Sequence, residues 1–300
     1  MTIRFVTAEN HRNLILSCFQ KLSNDKCPSQ KTGFNFAFLF PKLTFFMKQL
    51  GLIGYPLGHS FSKKYFTEKF DNQGLSAEWA YELFSIDSIE KLPEILRGSK
   101  NRIVGLNVTI PHKVAVMAQL NAIDPSAAAV GAVNCIKISW IEGDNVPHLT
   151  GYNTDVIGFE KSVLNLLGGS FSKGLQALIL GTGGAAKAAA FTFRQNNIPF
   201  KYVSRTRTDG QLRYTDLDKN VMQAHRLIVN STPLGMAPNT EGVPPLPFEF
   251  VDNQHFIFDM IYNPLQTRLM TLAEERGAKA VNGLEMLIEQ AEQGWAIWQR

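Results

Sequence analysis

The stretch Ala177-Leu-Ile-Leu180-Gly181-Thr-Gly183-Gly184-Ala185-Ala186, running on through Lys187-Ala-Ala-Ala-Phe-Thr-Phe193, decides the fold. Four consecutive apolar residues are too short a run for a helix and fit a strand buried on both faces. A glycine turn follows at once, and then an alanine- and phenylalanine-rich segment with good helix propensity. Between strand and helix, Gly181-x-Gly183-x-x-Ala186 matches the dinucleotide-binding fingerprint with alanine in its last place. Gly181 permits the tight turn, Gly183 lets backbone N–H groups approach a pyrophosphate, and Ala186 allows close helix–sheet packing. Gly184 and Ala185 open the helix, whose N-terminus presents the positive end of its dipole to an anion.

The context repeats downstream. Phe200-Lys-Tyr-Val-Ser204 reads as the next strand, about twenty residues on, Arg226–Asn230 as another and His255–Asp259 as a fourth. Residues 269–276 read as a helix closed by Gly277, and Leu284–Trp298 as a terminal helix with apolar Leu284, Leu287, Ile288, Ala291 and Trp295. At the tip of the second strand a protein selective for NAD usually offers an acid to the ribose. Here the tip is Ser204-Arg205-Thr206-Arg207, whose guanidiniums and hydroxyls suit a 2′-phosphate, so NADP is the expected cofactor.

A second α/β unit lies upstream of Asn153. Leu50–Tyr55 predicts a buried strand, Lys64–Phe70 a helix capped by Ser62, and Trp79–Phe84 a strand. Ile86–Arg97 predicts a helix, Ile103–Ile110 a strand stopped by Pro111, and Lys113–Leu120 a further helix, followed by alanine-rich Ser126–Val130. Residues 133–140 and 146–152 form a hairpin around Glu142-Gly-Asp144, and 157–167 an amphipathic helix. Alternating strands and helices predict an α/β protein of two domains. Lys113 stands just past a strand end, and Gly151-Tyr-Asn-Thr-Asp155 stands where the two units meet, the kind of cleft in which ligands lie. A lysine and an aspartate converging there can pass a proton to a carbonyl oxygen as hydride reaches its carbon.

Composition narrows the alternatives. The chain has 300 residues, 45% hydrophobic and 19% charged, with 23 Gly and 14 Pro, which is globular composition. Its three cysteines form no CxxC pair, which predicts free thiols in a cytoplasmic protein, and its six histidines show no metal-ligand spacing. No apolar run reaches membrane-helix length. The net charge of +4 resides in residues 1–46, which hold six Lys/Arg against Glu9 and Asp25; the remainder has 24 charges of each sign. A nucleic-acid-binding body is therefore not expected. The same 46 residues hold eight of the 21 Phe and one of the 23 Gly, and are expected to be an N-terminal extension outside the fold, which begins near Met47.

Taken in order, Gly58-His-Ser60-Phe-Ser62, Asn107-Val-Thr109-Ile-Pro-His-Lys113, Gly131-Ala-Val-Asn134, Asn153-Thr-Asp155, Gly181-Thr-Gly-Gly-Ala-Ala186, Asn230-Ser-Thr-Pro-Leu-Gly-Met236, Asp259-Met-Ile-Tyr262-Asn-Pro264 and Gly283–Gln290 resemble the shikimate dehydrogenase (shikimate/quinate dehydrogenase) family over about residues 50–298. The resemblance implies a substrate-binding domain of residues 47–152 plus 284–300, to which the C-terminal helix returns, and a Rossmann-like NADP domain of residues 153–283. It implies reversible NADPH-dependent reduction of 3-dehydroshikimate to shikimate, a step toward chorismate and the aromatic amino acids, in a cytoplasmic monomer or homodimer.

By the same resemblance Lys113 and Asp155 are the acid/base pair. Ser60 and Ser62 would hold the substrate carboxylate, and Thr109, Asn134, Asp155, Tyr262 and Gln290 would contact ring hydroxyls or the carboxylate. Ser204, Arg205 and Thr206 would face the 2′-phosphate, with Met260 and Gly283 near the nicotinamide. His59 and His112 neighbour these motifs and are expected to be structural. Two departures stand out: Ser204 replaces the family's Asn, and Asp209 stands where a basic residue is common, with Arg207 or Arg213 as compensation. Residues 205–227 also make a turn where many relatives carry a helix. The rival readings are a quinate/shikimate dehydrogenase of broader specificity using NAD, and a non-catalytic sensor of the same fold.

Overall fold

The computed structural model describes residues 47–300 apart from 59, 100, 142 and 207–209. Expectations resting on residues 1–46, His59, Arg207 and Asp209 lie outside the described residues.

Two six-stranded sheets carry the described residues. The first contains β1 (Lys48–Gly54), β2 (Trp79–Ser85), β3 (Ile103–Val108), β4 (Ala122–Ile123), β5 (Cys135–Ser139) and β6 (His148–Tyr152), in the order β2-β1-β3-β5-β6-β4. β1 pairs in parallel with β2 and β3, the crossovers being made through α1 (Phe61–Asn72) and α2 (Leu92–Arg97). β5 and β6 are the expected antiparallel hairpin, and β5 also lies antiparallel to β3. α3 (Pro125–Val130) precedes that hairpin, capped by the Asp124 side chain.

Three local expectations are corrected. Ser60 rather than Ser62 caps α1, accepting from the Lys63 amide at 3.5 Å, because Phe61 is already helical and joins Tyr65 in the apolar row. The helix expected over 113–120 is a 3₁₀ turn, Ala115–Gln119. The Lys113 carbonyl accepts from the Val133 amide at 2.7 Å and is lost to an α-helical ladder. Residues 86–97 divide into a 3₁₀ turn, Ile89–Lys91, and α2, where Pro93, lacking an N–H, sits in the first helical turn.

The second sheet is wholly parallel: β7 (Ala177–Leu180), β8 (Phe200–Ser204), β9 (Leu212–Arg213), β10 (Leu227–Asn230), β11 (Phe256–Asp259) and β12 (Lys279–Val281), in the order β12-β11-β10-β7-β8-β9. The chain enters at the centre, works outward to β9, then crosses back over β7 to β10. This is the doubly wound, Rossmann-type order, with its switch point between β7 and β10. Helices α4 (Asp155–Leu166), α5 (Gly184–Gln195), α6 (Lys219–Ala224), α7 (Arg268–Glu274) and α8 (Leu284–Trp298) complete the fold. The turn expected after Arg205 is followed by β9 and a short α6, so the segment keeps one turn-and-a-half of helix.

α8 fastens the two halves together. Trp295 packs with Phe70 and Trp79 beneath the first sheet, and the Trp298 indole N–H donates to the Ile136 carbonyl at 2.9 Å. Gly105 makes room for that indole, since a Cβ there would stand 2.2 Å from Trp298 Cδ1. On its other side α8 crosses α4 so closely that a Cβ on Gly158 would stand 2.5 Å from the Met286 carbonyl oxygen.

Candidate active site

Lys113 lies in the turn after β3, where Pro111 and the Val133–Lys113 backbone bond end the strand and hold the loop. Asp155 is the first residue of α4, where its charge meets the positive end of the helix dipole, and Asn153 Oδ1 accepts the Val156 amide at 3.3 Å. The two elements bring the side chains together: Lys113 Nζ donates to Asp155 Oδ2 at 2.6 Å. Their side chains are 17% and 7% exposed, so the ammonium keeps a face toward solvent while the carboxylate is nearly enclosed.

A second layer orients the carboxylate. Asn134 Nδ2 donates to Asp155 Oδ1 at 2.8 Å and to Thr154 Oγ1 at 3.0 Å, while the Thr154 amide donates to Asn134 Oδ1 at 2.7 Å. Thr154 Oγ1 lies 3.5 Å from Gln290 Oε1, which brings the α8 residue into the same network. Thr154, inside the Asn153-Thr-Asp155 motif, is a site residue that the motif's chemistry does not mark; its burial in the fold does.

Among the other expected substrate residues, Ser60 is half-buried at the α1 N-terminus and Ser62, the second residue of the helix, is buried. Tyr81, within hydrogen-bonding reach of Ser62, donates to Asn107 Oδ1 at 2.8 Å. Thr109 packs its methyl group against Gly54, where a Cβ would stand 2.4 Å away. Tyr262 follows β11, half-buried, with its ring edge-on to Phe61 at 5.7 Å. Burial raises the Tyr262 phenol pKa, so it stays a proton-bearing donor. His112 is structural: it is buried and Nε2 donates to the Ile86 carbonyl at 2.7 Å.

The glycine turn suits a pyrophosphate. Gly181 has φ +98°, and a Cβ there would come within 2.9 Å of Ser231 Oγ. Gly183 is the N-cap of α5 and supplies no side-chain cap, so the first-turn amides of a twelve-residue helix are available to an anion, and no atom lies within 4 Å of where a Gly183 Cβ would be. Gly184 abuts the acid/base candidate: a Cβ there would lie 3.2 Å from Lys113 Cδ. Ala186 is wholly buried against the sheet, as the fingerprint demands, and Ala185 is half-buried beside it.

Met260 and Gly283 are neighbours, a Cβ on Gly283 falling 2.3 Å from the Met260 carbonyl oxygen. Met260 is held by its amide, which donates to the Asn230 carbonyl at 2.9 Å. Beneath lies Asp259, wholly buried, accepting from Asn230 Nδ2, the Ile261 amide and Thr267 Oγ1 at 3.0, 3.1 and 2.7 Å. Burial raises its pKa above the ordinary carboxylate range. This network ties together the Asn230 and Asp259 motifs at the ends of the neighbouring strands β10 and β11, which periodicity alone does not reveal.

Ser204 ends β8, and Arg205 and Thr206 follow it, both exposed; the Ser204 hydroxyl donates to the Thr206 carbonyl and shapes the turn. Arg213 is engaged with Asp216, its amide donating to Oδ2 at 2.8 Å and its guanidinium to Oδ1 at 3.4 Å, so Arg205 is the more available cation. Among the described residues no cluster of three metal-ligating side chains occurs.

Comparison with known proteins bears on this arrangement. Residues 52–136 match the family described as the shikimate dehydrogenase substrate binding domain. The chain is 35% identical over 268 residues to the shikimate dehydrogenase (NADP(+)) of Methanocaldococcus jannaschii, covering 84% of this chain and 91% of that one. It is 35% identical over 269 residues to that of Bacillus subtilis, covering 84% and 92%. The solved shikimate 5-dehydrogenase from Thermus thermophilus, in complex with NADP(H) and shikimate, is similar at 30% identity and a TM-score of 0.70, covering 84% of this chain and 93% of that one.

Proposed function

The chain belongs to the shikimate dehydrogenase family, and from that premise we propose how its residues carry out reversible, NADP-dependent interconversion of 3-dehydroshikimate and shikimate. It is an oxidoreductase acting on a CH–OH group. The observation that carries the mechanism is the 2.6 Å contact of Lys113 Nζ with Asp155 Oδ2, with Gly184 of the dinucleotide turn against the lysine stem. The acid/base pair thus stands beside the turn that would hold a dinucleotide, whose nicotinamide would supply the hydride.

Lys113 donates a proton to the substrate's carbonyl oxygen as negative charge gathers there, and takes it back in the oxidative direction. Such acid/base help is worth about 10²–10⁴-fold in rate. Asp155 holds the ammonium in line and accepts from a neighbouring substrate hydroxyl; Asn134, through Asp155 Oδ1, keeps the carboxylate from rotating. Ser60, Ser62 and Tyr262 hold the substrate carboxylate, while Thr109, Asn134 and Gln290 read ring hydroxyls. Fixed neutral donors and acceptors discriminate among such polyols because a missing hydroxyl leaves a site group unpaired.

For the cofactor, Gly181, Gly183, Gly184 and Ala185 hold the pyrophosphate, Ala186 lets their helix pack close to the sheet, and Ser204, Arg205 and Thr206 hold the 2′-phosphate end. Met260 and Gly283 line the nicotinamide. Residues 47–152 with 284–300 form the substrate-binding domain and residues 153–283 the NADP domain. Among the described residues no helix is long and apolar enough to cross a membrane.

The test is NADP reduction by shikimate, followed by nicotinamide absorbance, in the full chain, in residues 47–300 and in Lys113→Ala. Turnover that is equal in the first two, and lost in the third with NADP still bound, is expected. Turnover only with quinate or NAD would move the specificity, and nucleotide binding without turnover would favour the sensor.

A further inference from the structure

Phe61 stands between Ser60 and Ser62, and its ring stacks on Tyr65 with centroids 5.6 Å apart and planes 17° from parallel. It also meets Tyr262 edge-on at 5.7 Å and 61°. Tyr65 does not turn freely: its hydroxyl donates to Glu292 Oε1, and Lys69 Nζ lies 2.7 Å from both oxygens of that carboxylate. The Lys69 side chain is only 12% exposed. Residues 61, 65 and 69 recur every four positions and so form one stripe along α1. Glu292, two residues beyond Gln290 on α8, fastens that stripe from the C-terminal helix. Tyr262 reaches the pair from the loop after β11 in the second sheet, so the Phe61–Tyr262 contact joins a first-sheet helix to a second-sheet loop.

We infer that Phe61 is a positioning residue for the reaction. Its ring, held by the Tyr65–Glu292–Lys69 clamp, sets the Tyr262 ring so that the phenol points at the carboxylate of the substrate beside Ser60 and Ser62. The inference rests on the function proposed above. A tyrosine has two side-chain torsions, and one of them is broad. An edge-on aromatic neighbour narrows it, because the ring quadrupole rewards that angle over others. A merely apolar neighbour of equal bulk would cover Tyr262 without selecting its angle. The clamp matters for the same reason: without Glu292 the Tyr65 ring is free to rotate, and Phe61 loses its stacking partner.

The experiment is a double-mutant cycle of Phe61→Leu with Tyr262→Phe in the full chain, reading kcat, KM for shikimate and KM for NADP. Phe61→Leu keeps apolar cover and removes the ring. We expect KM for shikimate to rise about fivefold to tenfold, as the loss of one aromatic pair implies, with kcat and KM for NADP changed less than about twofold. In the Tyr262→Phe background the same substitution should add less than about twofold, and Phe61→Tyr, which keeps the ring, should restore KM.

Tyr65→Phe keeps the stack but cuts the bond to Glu292, and should show a smaller rise that also vanishes in the Tyr262→Phe background. It serves if Phe61→Leu fails to fold. Effects that add independently, or an unchanged KM in Phe61→Leu, overturn the inference while leaving the function intact. An absence of turnover by the unsubstituted chain with shikimate or quinate and either nucleotide overturns both.

Discussion

Replacing Lys113 by methionine keeps the length of the side chain and removes its charge, so it separates chemistry from packing. Asp155, with a side chain 7% exposed, is then left with Asn134 Nδ2, at 2.8 Å, as its remaining side-chain donor. Breaking a buried pair from one side costs about 3–5 kcal/mol. Here the lysine side chain is 17% exposed and the asparagine bond survives, which lowers the cost to about 2 kcal/mol. For a fold of this size, that lowers the thermal midpoint by roughly 4–8 °C. Adding Asp155→Asn removes the stranded charge, and replacing both partners by neutral groups is close to neutral. The double variant should therefore melt above the single one.

Activity moves differently. Lys113→Met loses about 10²–10⁴ in kcat, and the double variant loses scarcely more, because the pair acts as a unit. NADP affinity stays unchanged in both. Calorimetry and nicotinamide absorbance on the same preparations give the two readouts. A double variant no more stable than Lys113→Met would refute the picture of a stranded carboxylate. A lysine variant retaining more than about a tenth of kcat would refute the acid/base role.

Gly105→Ala drives a methyl group into the Trp298 indole, where Cδ1 and Nε1 lie 2.2 and 2.3 Å from the new carbon, and breaks the bond to the Ile136 carbonyl. The expected loss is about 1–3 kcal/mol in urea unfolding, and an unchanged midpoint would contradict the close approach. Arg205→Ala should raise KM for NADP about tenfold to a hundredfold, the worth of one charge-assisted bond, while KM for NAD stays constant; a parallel rise for both nucleotides would remove Arg205 from the 2′-phosphate. Asp259→Asn tests a linkage. Burial raises the Asp259 pKa, so in the pH range just above the ordinary carboxylate value the folded chain binds the proton more tightly than the unfolded one. Its contribution to stability is complete below that ordinary value and declines as pH rises through the raised one. Stability of the unsubstituted protein relative to Asp259→Asn should accordingly fall with rising pH, and parallel curves would defeat the assignment.

Much of the frame was legible in the sequence because the strands that build it are continuous apolar runs. β7 and β8 fall where the runs 177–180 and 200–204 placed them, and α8 spans Leu284–Trp298 as its periodicity implied. β9 and β12, two and three residues long, are too short to carry a period. The helix expected over 113–120 failed where a tertiary bond competed with the local ladder, the Val133 amide donating to the Lys113 carbonyl. No local propensity records that competition, since the partner lies twenty residues away.

The site divides along the same line. Lys113 and Asp155 are 42 residues apart, yet their meeting could be anticipated, because each sits at the end of an element that Pro111 or Asn153 punctuates. What could not be anticipated is the layer behind them. Tyr65 and Glu292 are 227 residues apart and look like ordinary surface positions of two amphipathic helices until α8 crosses back to the first sheet. The residues that touch the substrate are confined to a few types by the chemistry they perform, and so they leave short motifs. The residues that aim them are chosen by shape and by a neighbour far along the chain, and only the fold identifies them. Phe61 belongs to this second kind although it lies inside a motif, flanked by two serines whose chemistry draws attention away from it.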